Sequence, residues 1–376
     1  MAEIPHDTPI GPPPLTEVLG GGLKLTFGFV KRRPWSFSLA VFGALLFVSA
    51  IVASAVVAGR ITDSLIIPVL EEGKSPAGRL WPAIVLVIGV AVWKSIGVTL
   101  RRSAAGWLQY GTRADARKRL IDHQMRLDLA WHDTRSTGDL LSVSEVDTNQ
   151  GTFVLAPFPY ATGSLFLLIG TVVLVAAADI FLGGIVLVGL VAMLVIDIHG
   201  AFRTYQPFIE VQERRGEVSG IAHESIDGAL TIKALGRRKE ETERFGVASD
   251  DLRDQLISVN STWVGYRAVV ESIPTMITLA ILVVGALRLA GGGVSAGDLV
   301  AVAYLMSLLT MPVSLLGFVI WEMAHSMAAW KRVQAILDAD DVVDHGADVA
   351  SHDASGGAMA SDGVSFGYGV DDLVLT

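Results

Sequence analysis

Apolar residues in this chain come in long blocks, with polar residues gathered between them instead of alternating through them. Six blocks, 35–59, 80–100, 157–178, 180–199, 273–289 and 299–321, approach the roughly 20 apolar residues that a helix needs to cross a bilayer. The third and fourth are separated only by Asp179, which predicts a tight helical hairpin. The fifth is short and is expected to begin earlier, near Val264. The pattern predicts an all-α membrane protein with six transmembrane helices.

The polar stretches between blocks are also patterned. In 112–128, Leu120, Ile121, Met125 and Leu127 recur among charges at helical spacing, without Pro or Gly. Helical spacing also holds for 212–256, with breaks at Gly228 and Gly236. Spans two to five are therefore expected to continue as helices beyond the bilayer, each long connection forming a helical hairpin. Residues 323–337 prolong the sixth span. Residues 1–30 read as a disordered, Pro/Gly-rich lead, with Gly20–Gly22 and Gly291–Gly293 as turns. After the six-span domain at 31–337, residues 338–358 are acidic, aperiodic and linker-like. In 359–376 alternation returns, with Val364, Phe366 and Tyr368 on one side of a strand. That pattern breaks off at Thr376, and an isolated strand is not stable, so the segment reads as the start of a truncated further domain.

Composition agrees: 51% of the 376 residues are hydrophobic and 18% charged, where soluble domains carry about a quarter. The net charge of −9 is local, because 338–376 holds nine aspartates and no Lys or Arg, leaving the rest balanced. No basic, aromatic-interleaved face is present, which excludes nucleic acid as a partner. The absence of cysteine excludes disulfides and thiolate chemistry. Arg and Lys cluster before span one, between spans two and three, and between four and five. The positive-inside rule then places both termini and both long loops in the cytoplasm, and the Ala/Gly/Val-rich composition favours a bacterial plasma membrane.

Four segments carry a resemblance to a known family. Leu129-Ala-Trp-His-Asp-Thr-Arg-Ser-Thr-Gly-Asp-Leu-Leu-Ser142 is followed by Asp147. Glu224-Ser-Ile-Asp-Gly-Ala-Leu-Thr-Ile-Lys-Ala-Leu-Gly236 is followed by Phe245. Val294-Ser-Ala-Gly-Asp-Leu299 precedes Pro312 and Arg332, and Gly363-Val-Ser-Phe-Gly-Tyr368 closes the chain. In this order on six spans they resemble the transmembrane half of an ATP-binding cassette (ABC) exporter, with only the first strand of its nucleotide-binding domain. Val143 departs from the Arg common at that position in the family, which points to a divergent subgroup, with a heterodimer as one form of it.

The resemblance implies that 130–136 and 223–234 form coupling helices that dock on nucleotide-binding domains. Trp131, His132 and Asp133 would act in the first, and Ser225, Gly228 and Ile232 in the second. Trp131 is read as an exposed anchor and Ile232 as an apolar knob; ordinary helix-turn-helix corners are the alternative. By the same resemblance Tyr368 would stack on adenine, with a packed strand residue as the alternative. ATP and Mg would be held by a nucleotide-binding domain supplied in cis or in trans, since the phosphate-cradling Gly-rich loop is missing from these residues. A second half-transporter, identical or not, would complete the assembly.

Outside those motifs, Lys94 is the ionisable residue deepest in an apolar block, and either faces a water-filled cavity or snorkels to the interface. Glu271, Asp197, Arg267 and Glu322 lie near span ends and read as solvated. Pro274 and Pro312 are candidate kinks. The histidines show no metal spacing, and no nucleophile elbow is present. The function expected is the permease half of an ATP-driven transporter for a small molecule, lipid or peptide. A truncated product that transports nothing is one alternative. A secondary transporter is less favoured, because no acidic partner is expected at depth.

Overall fold

The computed structural model describes residues 15–73, 77–340, 363, 366–369 and 372–375. After α1 (Leu15–Val30), α2 (Pro34–Ile61) runs through a π-helical turn, Thr62–Ile66, into α3 (Ile67–Glu72). The 48-residue α4 (Ala77–Gln124) returns. Three short helices, α5 (Leu129–Asp133), α6 (Thr137–Ser142) and α7 (Thr148–Phe153), lead to α8 (Phe158–Ala178). Then come α9 (Ile180–Asp227), α10 (Ala229–Ala234), the 53-residue α11 (Arg238–Ala290), α12 (Ala296–Ser307) and α13 (Thr310–Leu337). Backbone segments β1 (Phe366–Gly369) and β2 (Asp372–Leu375) pair antiparallel. Among the described residues six helical stretches are long and apolar enough to cross a membrane, as the apolar blocks predicted. This is a multi-pass membrane protein.

At 1.5 Å per residue α11 is about 80 Å long, far beyond a bilayer of about 30 Å. Val264 lies well inside this one unbroken helix, which extends beyond the apolar block as expected. Pro274 lies inside it without interrupting it. The break in the sixth span falls at Leu308–Leu309, and Pro312 sits in the first turn of α13, where a missing N–H goes unnoticed.

The bundle core is formed by Val48 and Ile51 of α2, Leu167 of α8, Val186 and Met193 of α9, Ile281 of α11 and Leu305 of α12. Small residues bring the first two spans together. A Cβ on Gly43 would sit 2.5 Å from the Arg101 nitrogen, and one on Gly97 would sit 2.6 Å from the Phe47 nitrogen, so α2 and α4 touch backbone to backbone. Asp179 closes the α8–α9 corner. Its Oδ1 accepts from the Phe181 and Leu182 amides at 2.8 and 3.1 Å, and Oδ2 accepts from Arg288 Nε of α11 at 2.8 Å. Burial pushes this carboxyl up, but the Leu182 amide, Arg288 and the Phe181 amide together outweigh it and hold it below the ordinary aspartate range.

The N-terminal expectation fails over residues 15–30, which are helical and packed instead of disordered. Val18 and Phe29 are buried against Val319 and Met323 of α13. Gly20–Gly22 are not turns: a Cβ on Gly22 would lie 2.7 Å from Met323 Cβ, so glycine permits close helix contact here. Gly291–Gly293 do form the expected turn, with Gly292 at φ +72°. Residues 1–14, most of the 338–358 linker and the side chain of Tyr368 lie outside the described residues.

Candidate functional site

Two regions carry candidate chemistry, the ends of the helical hairpins and a cavity between α9, α11 and α13.

At the first hairpin end the Asp128 side chain caps α5 by accepting from the Trp131 amide at 2.7 Å. Ser136 caps α6 by accepting from the Asp139 amide at 3.0 Å. Trp131 is 5% exposed, which corrects the expectation of an exposed anchor. Its ring packs with Leu120, Leu127, Val143, Val333 and Ile336. Positions two apart on a helix point about 200° apart, so Leu129 faces outward instead, at 82% exposure. His132 Nε2 lies 3.0 Å from the Gln124 carbonyl oxygen, and Asp133 is exposed. Val143 belongs to the apolar cluster around Trp131, an environment in which an arginine would leave a charge unpaired. The π-helical turn Val143–Asp147 also turns Asp147 inward, where it pairs with Arg332 of α13.

The second end also carries a short helix, α10, which starts after Gly228 without a side-chain cap. Breaks fall at Gly228 and Gly236, as the pattern predicted, and Gly236 adopts φ +68° beyond α10. A Cβ on Gly228 would meet the Glu224 carbonyl at 3.0 Å. The Ser225 hydroxyl lies 2.6 Å from Glu241 Oε1, and Arg244 donates to Glu224 at 2.8 Å, tying α9 to α11. Ile232 is half-buried and lines a groove with Ile226 and Phe245, so it is not the protruding knob. Two positions away, Leu230 is 82% exposed.

The cavity has a volume of about 410 Å³. Five rings, Phe208, Trp263, Tyr266, Phe318 and Trp321, line it together with Asp197, Arg267 and Ser314. Asp197 lies 18 residues along α9 from Asp179, about 27 Å at the helical rise and close to one hydrocarbon thickness. A Cβ on Gly317 would overlap the Asp197 carboxylate, so glycine makes room for that group. Arg267 Nε donates to Glu271 Oε1 at 2.6 Å, one turn along.

These placements correct the solvated reading of Asp197 and Glu322. Asp197 is half-buried, and Glu322 is 2% exposed, accepting from Gln150 Nε2 at 2.7 Å and Ser326 Oγ at 3.1 Å. Carboxyls therefore do lie inside the bundle, where none was expected. Arg267 and Glu271 remain partly exposed as a pair. Lys94 does not line this cavity; it is half-buried on α4, its ammonium 5.9 Å from the Phe47 ring centre. The aromatic lining is scattered over three helices far apart in sequence. Helical spacing of Trp263, Tyr266 and Arg267 on one face was the signal that could have found part of it. Among the described residues no cluster of His, Cys, Asp or Glu could hold a metal.

The sequence profile of the ABC transporter transmembrane region matches residues 37–313, most of the chain. The chain belongs to this family. Its curated relatives include an uncharacterized ABC transporter ATP-binding protein, YknU, of Bacillus subtilis, 25% identical over 68% of this chain and 46% of its own length. An ATP-dependent lipid A-core flippase of Idiomarina loihiensis is 28% identical over 71% of this chain and 46% of its own length. The flippase of the same name from Salmonella typhimurium is 27% identical, covering 90% of this chain and 58% of its own length. The chain spans about half the length of the curated relatives it matches.

Proposed function

We propose that this chain is the permease half of an ATP-driven transporter, working by alternating access as one of two six-helix units. The observation that carries the reading is the pair of helical hairpin ends, each presenting a highly exposed leucine, Leu129 or Leu230, on a short helix. Both ends lie at the pole opposite Asp179, where a nucleotide-binding domain, in cis or in trans, would dock and Lys/Arg counting places the cytoplasm. ATP and Mg would be bound by that domain, with Tyr368 stacking on adenine at its first strand. Trp131 would brace the first docking helix from within, His132 and Asp133 would flank its docking face, and Ser225, Gly228 and Ile232 would set the shape of the second. The apolar window of α4 is only 6% buried, which suits a helix facing lipid or a second half-transporter, with Lys94 on that surface.

The buried carboxyls revive the features of an ion-coupled carrier, but family membership favours ATP as the energy source. The relatives named as lipid A-core flippases make an amphiphile the favoured class of cargo. The test is ATP hydrolysis by the native product in liposomes. Leu129→Asp and Leu230→Asp should each lower the rate by about tenfold or more, since a buried apolar anchor carries much of an interface's energy, with the thermal midpoint unchanged. Full activity in both variants would refute docking through these leucines.

A further inference from the structure

The cavity between α9, α11 and α13 has an unusual balance of charge and rings. Asp197 and Arg267 are the two charged side chains in its lining. Arg267 is already engaged by Glu271 at 2.6 Å. Counting the three together leaves one surplus negative charge, which falls on Asp197. Five aromatic rings surround the same space, and aromatic faces attract cations and repel anions. Ser314 Oγ, also in the lining, is buried and has no hydrogen-bond partner among the described residues. It offers a ligand a polar contact that the protein leaves unused. Trp263 and Phe318 stay 48% and 41% exposed, so the cavity opens at its edge and a bulky molecule has a way in.

We infer that this cavity binds a monovalent amphipathic organic cation, an aryl- or alkyl-substituted ammonium or phosphonium. Its charge sits against Asp197 and its apolar groups against the rings. An anion would have to take Arg267 away from Glu271 and face both Asp197 and the negative faces of the rings. Gly317 is the specificity-determining position behind the carboxylate, because any side chain there displaces Asp197 from the lining.

The inference rests on reading the cavity as part of the transport path, but binding requires neither ATP nor a partner and is measured without them. Tetraphenylphosphonium and tetraphenylborate share a shape and differ in the sign of their charge. Equilibrium dialysis of the full chain in neutral detergent should show that Asp197→Asn weakens phosphonium binding by about tenfold, an ordinary loss for one desolvated charge pair, and leaves borate binding equal or stronger. Arg267→Gln should do the converse, strengthening phosphonium and weakening borate. Opposite responses of the two ions cannot come from misfolding. Parallel loss of both ions in Asp197→Asn, or no change in either variant, overturns the proposal. Charge-selective binding by a product that moves no cargo in liposomes would sink the transport reading and leave this one standing.

Discussion

Leu129 and Trp131 stand two positions apart in one short helix, yet one is 82% exposed and the other 5%. The helical turn alone decides which of them is buried. Trp131→Ala should therefore unfold the first hairpin end at a cost of about 3–5 kcal/mol, the usual range for emptying a buried aromatic site. Leu129→Asp should stay within about 0.5 kcal/mol of the parent, as exposed substitutions do. Thermal unfolding in detergent separates the two, and an equal loss in both would contradict the packing described. Asp179 yields a pH prediction. Its folded-state carboxyl is held below the ordinary aspartate range, so its stabilising contribution is complete above that range and is lost as pH falls through the lowered value. The advantage of the parent over Asp179→Asn should be constant from pH 8 to about pH 5 and shrink on further acidification. An advantage that grows with acid would reverse the sign assigned to the Arg288 and amide contacts.

Helix contacts in this bundle are set by glycines whose role is steric. Gly97→Leu would drive a side chain into the Phe47 backbone and separate α2 from α4, and Gly22→Leu would lift α1 from Met323. Overpacking of this kind costs about 1–3 kcal/mol or more. Gly22→Leu should also open α1 to protease while the remaining helices stay protected; an unchanged digestion pattern would contradict the docking of α1. Much of the element structure was legible in the sequence, because period and breaks are local. The apolar blocks, the Asp179 corner and the interruptions at Gly228 and Gly236 all fall where the pattern places them. α1 was not legible, because a Gly-Gly-Gly run reads equally as a turn or as a close contact, and only Met323 and Met327 of a distant helix decide between them. Asp197 and Glu322 were misplaced for a related reason. Nearness to the end of an apolar block says nothing about whether a helix continues into a packed bundle, as α9 and α13 do. The contacts of Glu322 with Gln150 and of Asp147 with Arg332 span more than 150 residues each. Glu322→Ala strands the half-buried Gln150 amide, while Ser326 keeps the Gln150 carbonyl as an acceptor at 2.8 Å, and should cost about 1–3 kcal/mol in thermal unfolding.

On the scale of the whole molecule, α4, α9 and α11 join two poles. The aromatic cavity lies between α9, α11 and α13, and hairpins with exposed leucines stand at one end. Rigid helices of this length carry a displacement at one pole to the other, and a ligand shifts such an equilibrium only by binding the two states unequally. We propose that nucleotide supplies this difference. Thr242 is exposed beside the second hairpin end, and Thr242→Cys in a product otherwise free of cysteine puts one spin label there on each protomer. The most direct measurement is the label-to-label distance in the native product in liposomes, with and without ATP and vanadate. Two protomers should give a defined distance that shortens when nucleotide is trapped. A distance that does not respond to nucleotide, or no pairwise signal at all, would contradict this.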